Sequence, residues 1–199
     1  RFAHQAVAAQ MVLLELNNGP TDVRNSNLNN MYKENKNFDS NSFEAKKVLR
    51  TLEYLNKIFE DKTPELKPYY ALTFYLLISR LMDKYVVTSM EKDLFKFFLD
   101  FENFRRLEEE KEEEKDPDIM EFKDKISHSS DSKSSLEWRH NYFISRFGMK
   151  FPDVPLKDEN RNFSHEQRLA IWRRDKKCKL KIKCDGKVLQ FGDMDADHI

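Results

Sequence analysis

The fold is decided by residues 69–87, which read YYALTFYLLISRLMDKYVV. This segment is apolar almost all round, and that pattern is typical of a helix buried on every side. Thr63 and Pro64 precede it in the order of a helix N-cap and a proline in the first turn. We therefore predict a central helix here, enclosed by other helices.

Amphipathic helices are predicted on both sides of this segment. Residues 2–16 carry apolar side chains at spacings of three and four, and Gly19-Pro20 ends the pattern. Residues 94–104 are crowded with phenylalanine, and at helical spacing among leucines we interpret them as core rather than as a surface that stacks bases. Three further helix starts are predicted from capping boxes, which pair Asn41 with Glu44, Thr88 with Glu91, and Ser134 with Glu137.

The composition excludes several classes of protein. The chain has 199 residues, of which 39% are apolar and 35% charged, and no apolar stretch approaches the length of a membrane span. Four glycines and six prolines argue against an all-β fold, and two cysteines cannot form a disulfide scaffold. No signal peptide is visible, so we expect a cytoplasmic protein without membrane association. The oligomeric state stays open.

Charge is distributed unevenly, although the formal net charge is zero. Residues 108–125 hold ten acids and four lysines, whereas residues 161–187 hold ten bases and three acids. A polyanion would bind the second segment and avoid the first. The acidic run and the serine-rich stretch that follows it have the composition of a linker, in which Ile119, Phe122 and Ile126 indicate one short helix.

These patterns divide the chain into four segments. We predict a helical domain over 1–107, an acidic and serine-rich linker over 108–135, a helix and extended connector over 136–155, and a second domain from 156 to 199. Gly148 is the predicted stop of the helix in the third segment. The expected fold class is mainly α, a helical bundle followed by a small α+β segment.

The last forty residues carry the chemistry. Ser164 and Gln167 predict a helix from His165 to about Arg174, and Asp185-Gly186 predicts the turn of a β-hairpin between two alternating stretches, 179–183 and 187–191. Apolar positions on the helix leave several cations free to face solvent or phosphate. The basic residues that we select as a nucleic-acid surface are Arg168, Arg173, Arg174, Lys176 and Lys177.

The order Arg174-Asp175, Cys178, Cys184 and Asp197-His198-Ile199 resembles the front half of an HNH endonuclease domain. The resemblance covers residues 161–199. It implies a ββα-metal unit in which His198 is the general base for water and Asp197 helps to hold a divalent cation, with Mg²⁺ expected. Such roles suit phosphodiester hydrolysis, which needs a cation near the phosphate and a base that titrates near neutral pH.

The same resemblance bears on the two cysteines. Related HNH domains often hold a structural Zn²⁺ with two early cysteines and a later C-x-x-C pair, which here would lie past Ile199. Cys178 and Cys184 are then either half of a zinc site in a longer protein or two reduced thiols, because a tetrahedral site needs four ligands. In the family, a later Asn and a later His complete the catalytic site, and they are absent from residues 1–199, so we expect this chain alone to cut DNA poorly or not at all. The sequence looks like a piece of a longer polypeptide, but whether the natural chain continues past Ile199 stays open.

A shorter resemblance lies at the front. Arg1-Phe2-Ala3-His4-Gln5, an apolar helix and then Tyr32 are similar to the region after the ParB/sulfiredoxin-like domain of GmrSD-type restriction enzymes. It implies restriction or phage defence, with DNA as substrate and RNA as an open alternative. A rival hypothesis is a non-catalytic helical interaction module with a basic tail that binds nucleic acid. His4 and His140 are interpreted as packing or surface residues rather than ligands.

Overall fold

The computed structural model describes residues 3–157 and Trp172. The chain divides into two compact units, residues 1–156 and 157–199. Within the described part of the first unit the structure is helical, as predicted, and Trp172 of the second unit is also helical. The helices of the described part are α1 (Ala3–Leu16), α2 (Asn25–Glu34), α3 (Phe43–Ile58), α4 (Pro68–Lys84), α5 (Glu91–Glu110), α6 (Pro117–Ser127) and α7 (Lys133–Lys150).

Helix α4 is the central helix, which confirms the main prediction from residues 69–87. It packs against α1, α3 and α7, and Leu77, Ile78 and Leu81 are fully buried. Its start differs from the prediction, because Pro68 rather than Pro64 occupies the first turn. Both prolines follow sequences that suit a helix start, and a proline at either place loses no intrahelical hydrogen bond.

The aromatic residues of α5 form core, as predicted. Phe98 and Phe101 are at most 1% exposed and meet rings from three other helices. Phe98 lies 4.9 Å from Phe74 of α4, and Phe101 lies 4.7 Å from Phe143 of α7 and 5.1 Å from Phe122 of α6, all edge to face. Edge-to-face contacts place ring edges against ring faces of opposite partial charge, so this cluster fixes helix positions as well as burying area.

A second, smaller cluster packs α1 and α2 against α3, α4 and α7. Leu14, Val23, Tyr75 and Leu136 lie at its centre, each at most 1% exposed. It joins the first residues of the described chain to the middle of α4 and to the first turn of α7. Residues 3–150 therefore share one helical body around α4.

The predicted linker over 108–135 differs from the structure. Residues 108–110 extend α5, and 117–127 form α6, where Ile119 and Phe122 are fully buried. The short helix is thus present, but it is packed into the aromatic cluster rather than carried on a free connector. Most acidic residues of this stretch are exposed, as their composition indicates. The two apolar residues at helical spacing nevertheless hold α6 against the aromatic cluster.

Helix starts lie one to three residues from the predicted capping boxes. Ser42, not Asn41, accepts from Ala45 N at 3.1 Å, and Ser132, not Ser134, accepts from Ser135 N at 3.3 Å. Helix α5 begins at Glu91 with no side-chain cap. Serine-rich and asparagine-rich stretches offer several oxygens at similar spacing, so packing decides which one caps.

The end of α7 also differs, because the helix passes through Gly148 and stops at Lys150. Glycine commonly ends a helix by adopting the left-handed backbone conformation, and the chain does not require that conformation at Gly148. The predicted extended connector follows: Pro155 accepts from Val86 N at 2.9 Å, and Leu156 pairs with Tyr85 in an isolated antiparallel bridge. The chain after α7 thereby returns to the end of α4.

Candidate functional site

Every site residue predicted from the sequence lies outside the described residues. Their positions therefore stay predictions. They are the catalytic His198, the metal ligands Asp197, Cys178 and Cys184, and the nucleic-acid surface formed by Arg168, Arg173, Arg174, Lys176 and Lys177. The predicted hairpin over 179–191 and the ββα-metal unit fall in the same undescribed stretch.

A polar cluster inside the helical unit was not predicted. Glu15 of α1 is 6% exposed, and its Oε2 lies 2.8 Å from Lys47 Nζ of α3. The same ammonium lies 2.7 Å from Asp83 Oδ2 of α4. From the other side, the hydroxyls of Tyr75 and Ser79 each donate to Glu15 Oε1 at 2.7 Å. Three helices thus place one cation between two carboxylates.

The partners of Glu15 offset the cost of its burial. A buried carboxylate is tolerated when a cation and hydrogen-bond donors replace water around it. Burial and the hydrogen bond to Glu15 raise the pKa of Tyr75, so its hydroxyl stays protonated and keeps donating. Burial alone would lower the pKa of Lys47, but hydrogen bonds to Asp83 and Glu15 outweigh it and raise that pKa. Lys47 therefore stays a cation.

A pocket of about 220 Å³ opens beside this cluster. Lys47 and Asp83 form part of its wall, together with Arg80 of α4 and His140 of α7, and Leu14, Leu76 and Ile144 are among its apolar wall residues. Polar groups from four helices meet in this concavity beside a few apolar residues, and its volume suits a small polar group rather than a large ligand.

His140 carries a buried nitrogen without a partner beside this pocket. Its Nδ1 is buried and has no hydrogen-bond partner. Burial, and to a smaller extent the charge of Arg80, lowers the pKa of His140 to about 4. The imidazole is therefore neutral at physiological pH, with one N–H to donate. The sequence predicts His140 as a packing or surface residue rather than a ligand, and the structure places it half-buried on α7.

A second polar network lies at the other end of α4. Glu102 of α5 is 1% exposed. It accepts a hydrogen bond from the hydroxyl of Tyr70, and Arg105 Nη2 lies 2.7 Å from its Oε1. Burial alone would raise the pKa of Glu102, but the hydrogen bonds from Arg105 and Tyr70 outweigh it and lower that pKa. The network ties α5 to α4, which is a structural role.

Arg139 of α7 is a buried cation that bonds mainly to backbone. It is 1% exposed and donates to the carbonyl oxygens of Tyr69 at 2.9 Å and Ser135 at 3.2 Å, to that of Ser130, and to Thr73 Oγ1 at 2.8 Å. Burial lowers its pKa to about 10, which leaves it charged at neutral pH. Arg139 thereby fastens the loop before α7 to the first turns of α4.

Within 3–157 and Trp172, no group of three or more His, Cys, Asp or Glu is placed to hold a metal ion, and no helix of this part is long and apolar enough to cross a membrane. No family was found. Comparison of the chain with protein-family models, with curated proteins and with solved structures gave no match.

One signal in the sequence pointed to the pocket. Glu15 stands among Leu13, Leu14 and Leu16 near the end of an otherwise apolar helix. A charged residue in such a run is buried only when a partner is available. The partners Lys47 and Tyr75 lie 32 and 60 positions away, and no spacing rule connects them to Glu15.

Proposed function

We propose that this chain belongs to a metal-dependent DNA endonuclease of the HNH type that acts in restriction or phage defence. One observation carries the proposal: the order Arg174-Asp175, Cys178, Cys184 and Asp197-His198-Ile199, set in the most basic segment of the chain. A polyanionic substrate is attracted to such a segment. For residues 156–199 we propose, more specifically, the start of a ββα-metal unit.

The donor chemistry of the proposed site suits its cofactors. Carboxylate oxygen is a ligand that Mg²⁺ accepts, and Asp197 supplies one. Bound Mg²⁺ would neutralise the charge that develops on the phosphate. Thiolates suit zinc, and Cys178 with Cys184 would supply two of the four ligands that a structural site needs.

The chain's own residues would perform two tasks. His198 would take a proton from the attacking water, because imidazole is the side chain that titrates closest to neutral pH. The cations Arg168, Arg173, Arg174, Lys176 and Lys177 would hold the phosphodiester backbone, and contacts of this kind position a duplex without reading its sequence. Binding should therefore weaken steeply with added salt.

The test is nicking of supercoiled plasmid by the natural protein that contains this sequence, with Mg²⁺ present. We expect His198→Ala to lower the nicking rate by about 100-fold or more, which is the usual contribution of a general base. The matched control is His128→Ala, because His128 lies at the end of α6 with a side chain 79% exposed. Equal activity of both variants and the parent would contradict the proposal.

The second candidate is a helical interaction module whose basic tail only tethers it to nucleic acid. The observation that favours it is the exposure of two large apolar side chains of α3, Phe43 at 65% and Leu49 at 57%. Salt-dependent DNA binding without cleavage, in the presence of Mg²⁺ or Mn²⁺, supports this candidate over the nuclease. A competition between DNA and RNA in the same binding assay separates the two nucleic acids.

A further inference from the structure

The pocket beside Glu15 has an imbalance between donors and acceptors. Both carboxylates at the pocket are already engaged, since Glu15 and Asp83 share the Lys47 ammonium. The guanidinium of Arg80 forms no ion pair or hydrogen bond with another described residue, although it lines the same pocket. The guanidinium of Arg80 therefore has donors available to a ligand in this pocket.

His140 of α7 adds a ring nitrogen without a partner, which is a donor in the tautomer that carries the proton on Nδ1. Its buried Nδ1 has no partner, and the ring lines the pocket from α7. Asn141, the next residue, lines the pocket as well and carries a side-chain amide. Arg80 of α4 and the pair His140-Asn141 of α7 thus offer donors from two helices to one concavity, while each carboxylate there already accepts from Lys47.

We propose that this pocket binds an oxyanion, a phosphate or carboxylate group of a small molecule, held between Arg80 of α4 and His140 of α7. The planar guanidinium matches two oxygens of either group, and a neutral imidazole donates one N–H to a third contact. Leu76 and Ile144 in the wall would pack against the body of the molecule. None of these residues lies in 156–199, so the inference does not rest on the proposed nuclease.

The charged groups around the pocket balance in number, and only Arg80 among them forms no ion pair with a described residue. The charged groups that face His140 from the helices packed around it are Glu15 of α1, Lys47 of α3, and Arg80 and Asp83 of α4. Two carboxylates and two cations sum to zero. Lys47 shared by two carboxylates leaves that group with one net negative charge, which Arg80 offsets; Arg80 is nevertheless the cation that forms no ion pair with another described residue. A bound oxyanion would complete its ion pair and would also favour a proton on His140.

The test follows the His140 imidazole by NMR, with its signal assigned from its loss in His140→Gln. Inorganic phosphate and acetate are titrated separately, with sodium chloride adjusted to keep the ionic strength constant. We expect a saturable shift of the His140 signal and an upward movement of its pKa by about one unit when an oxyanion is bound. A response to phosphate alone, to acetate alone or to both supports the proposal and identifies the group.

Arg80→Gln is the deciding variant, because Arg80 is exposed and its loss leaves the helix core intact. We expect it to weaken oxyanion binding by about tenfold or more, since a hydrogen-bonded ion pair is removed. Arg50→Gln is the matched control, being an exposed arginine of α3 outside the pocket. The proposal is overturned if neither anion gives a saturable response, or if Arg50→Gln weakens binding as much as Arg80→Gln does.

Discussion

Replacing His140 by glutamine should make the helical unit less sensitive to acid. In the folded protein the pKa of His140 is lowered to about 4, from an ordinary value of 6.5. The unfolded chain therefore binds a proton on this residue at a higher pH than the folded chain does. The linkage relation gives the sign of the effect. Well above pH 6.5 the titration of His140 does not change the free energy of unfolding, and as the pH falls toward 4 it lowers that free energy increasingly.

The size of the effect follows from these two values. Between about pH 7 and about pH 5, the proton bound by the unfolded state reduces the free energy of unfolding by at most about 2 kcal/mol. The ring is half-buried, so solvent screening reduces this figure, and we expect about 1 to 2 kcal/mol. His140→Gln removes this titration and should lose that much less stability over the same pH interval.

The assay is urea unfolding followed by helical circular dichroism, in a buffer without phosphate or carboxylate, because a bound oxyanion would itself raise the pKa of His140. His128→Gln is the control, since it removes an exposed histidine and should keep the pH dependence of the parent. The reasoning is refuted if His140→Gln and the parent lose the same free energy of unfolding between the two pH values. It is also refuted if His128→Gln shows the larger change.

Two further predictions concern stability. Arg139→Met should lower the free energy of unfolding by about 2 to 4 kcal/mol, because the Ser130 carbonyl loses its donor and the loop before α7 is released from α4. The control Arg50→Met, at an exposed position, should change this free energy by less than about 0.5 kcal/mol. A similar loss in both variants would contradict the role given to Arg139. Phe143→Ala should cost about 3 to 5 kcal/mol by chemical denaturation, since its ring is fully buried among other rings. Leu107→Ala, at a position 62% exposed, should cost far less, and equal losses would show that the aromatic cluster does not hold the fold.

The helices were predictable because their information is local. Residues 69–87 are apolar all round, and such a segment has only a central position open to it in a polar protein. The buried Phe98 and Phe101 of α5 follow from the same helical spacing. The ends of helices were less predictable, since Ser132 and Ser134 lie two residues apart and only tertiary packing selects between them.

The pocket could not be predicted from the sequence, for a different reason. Glu15, Lys47, Asp83 and His140 belong to four helices, and no periodicity relates residues on separate helices. His140 has the same local setting as a packing histidine. What distinguishes it is a missing partner for Nδ1 in three dimensions. The proposed nuclease motif is the opposite case, because it rests on the order of residues along the chain alone and stays a prediction.

The buried ion pairs at the pocket have an energetic consequence. Burying an ion pair often gives no net stability relative to apolar residues of similar volume, because desolvation offsets the attraction. Glu15 and Lys47 nevertheless occupy a place beside Leu14 and Leu76 where an apolar pair would extend the second core cluster. In the proposed oxyanion pocket this pair has a role, because Lys47 bonds to the carboxylates that line it. With Lys47 held between Glu15 and Asp83, both carboxylates are occupied and the guanidinium of Arg80 is left available to a ligand.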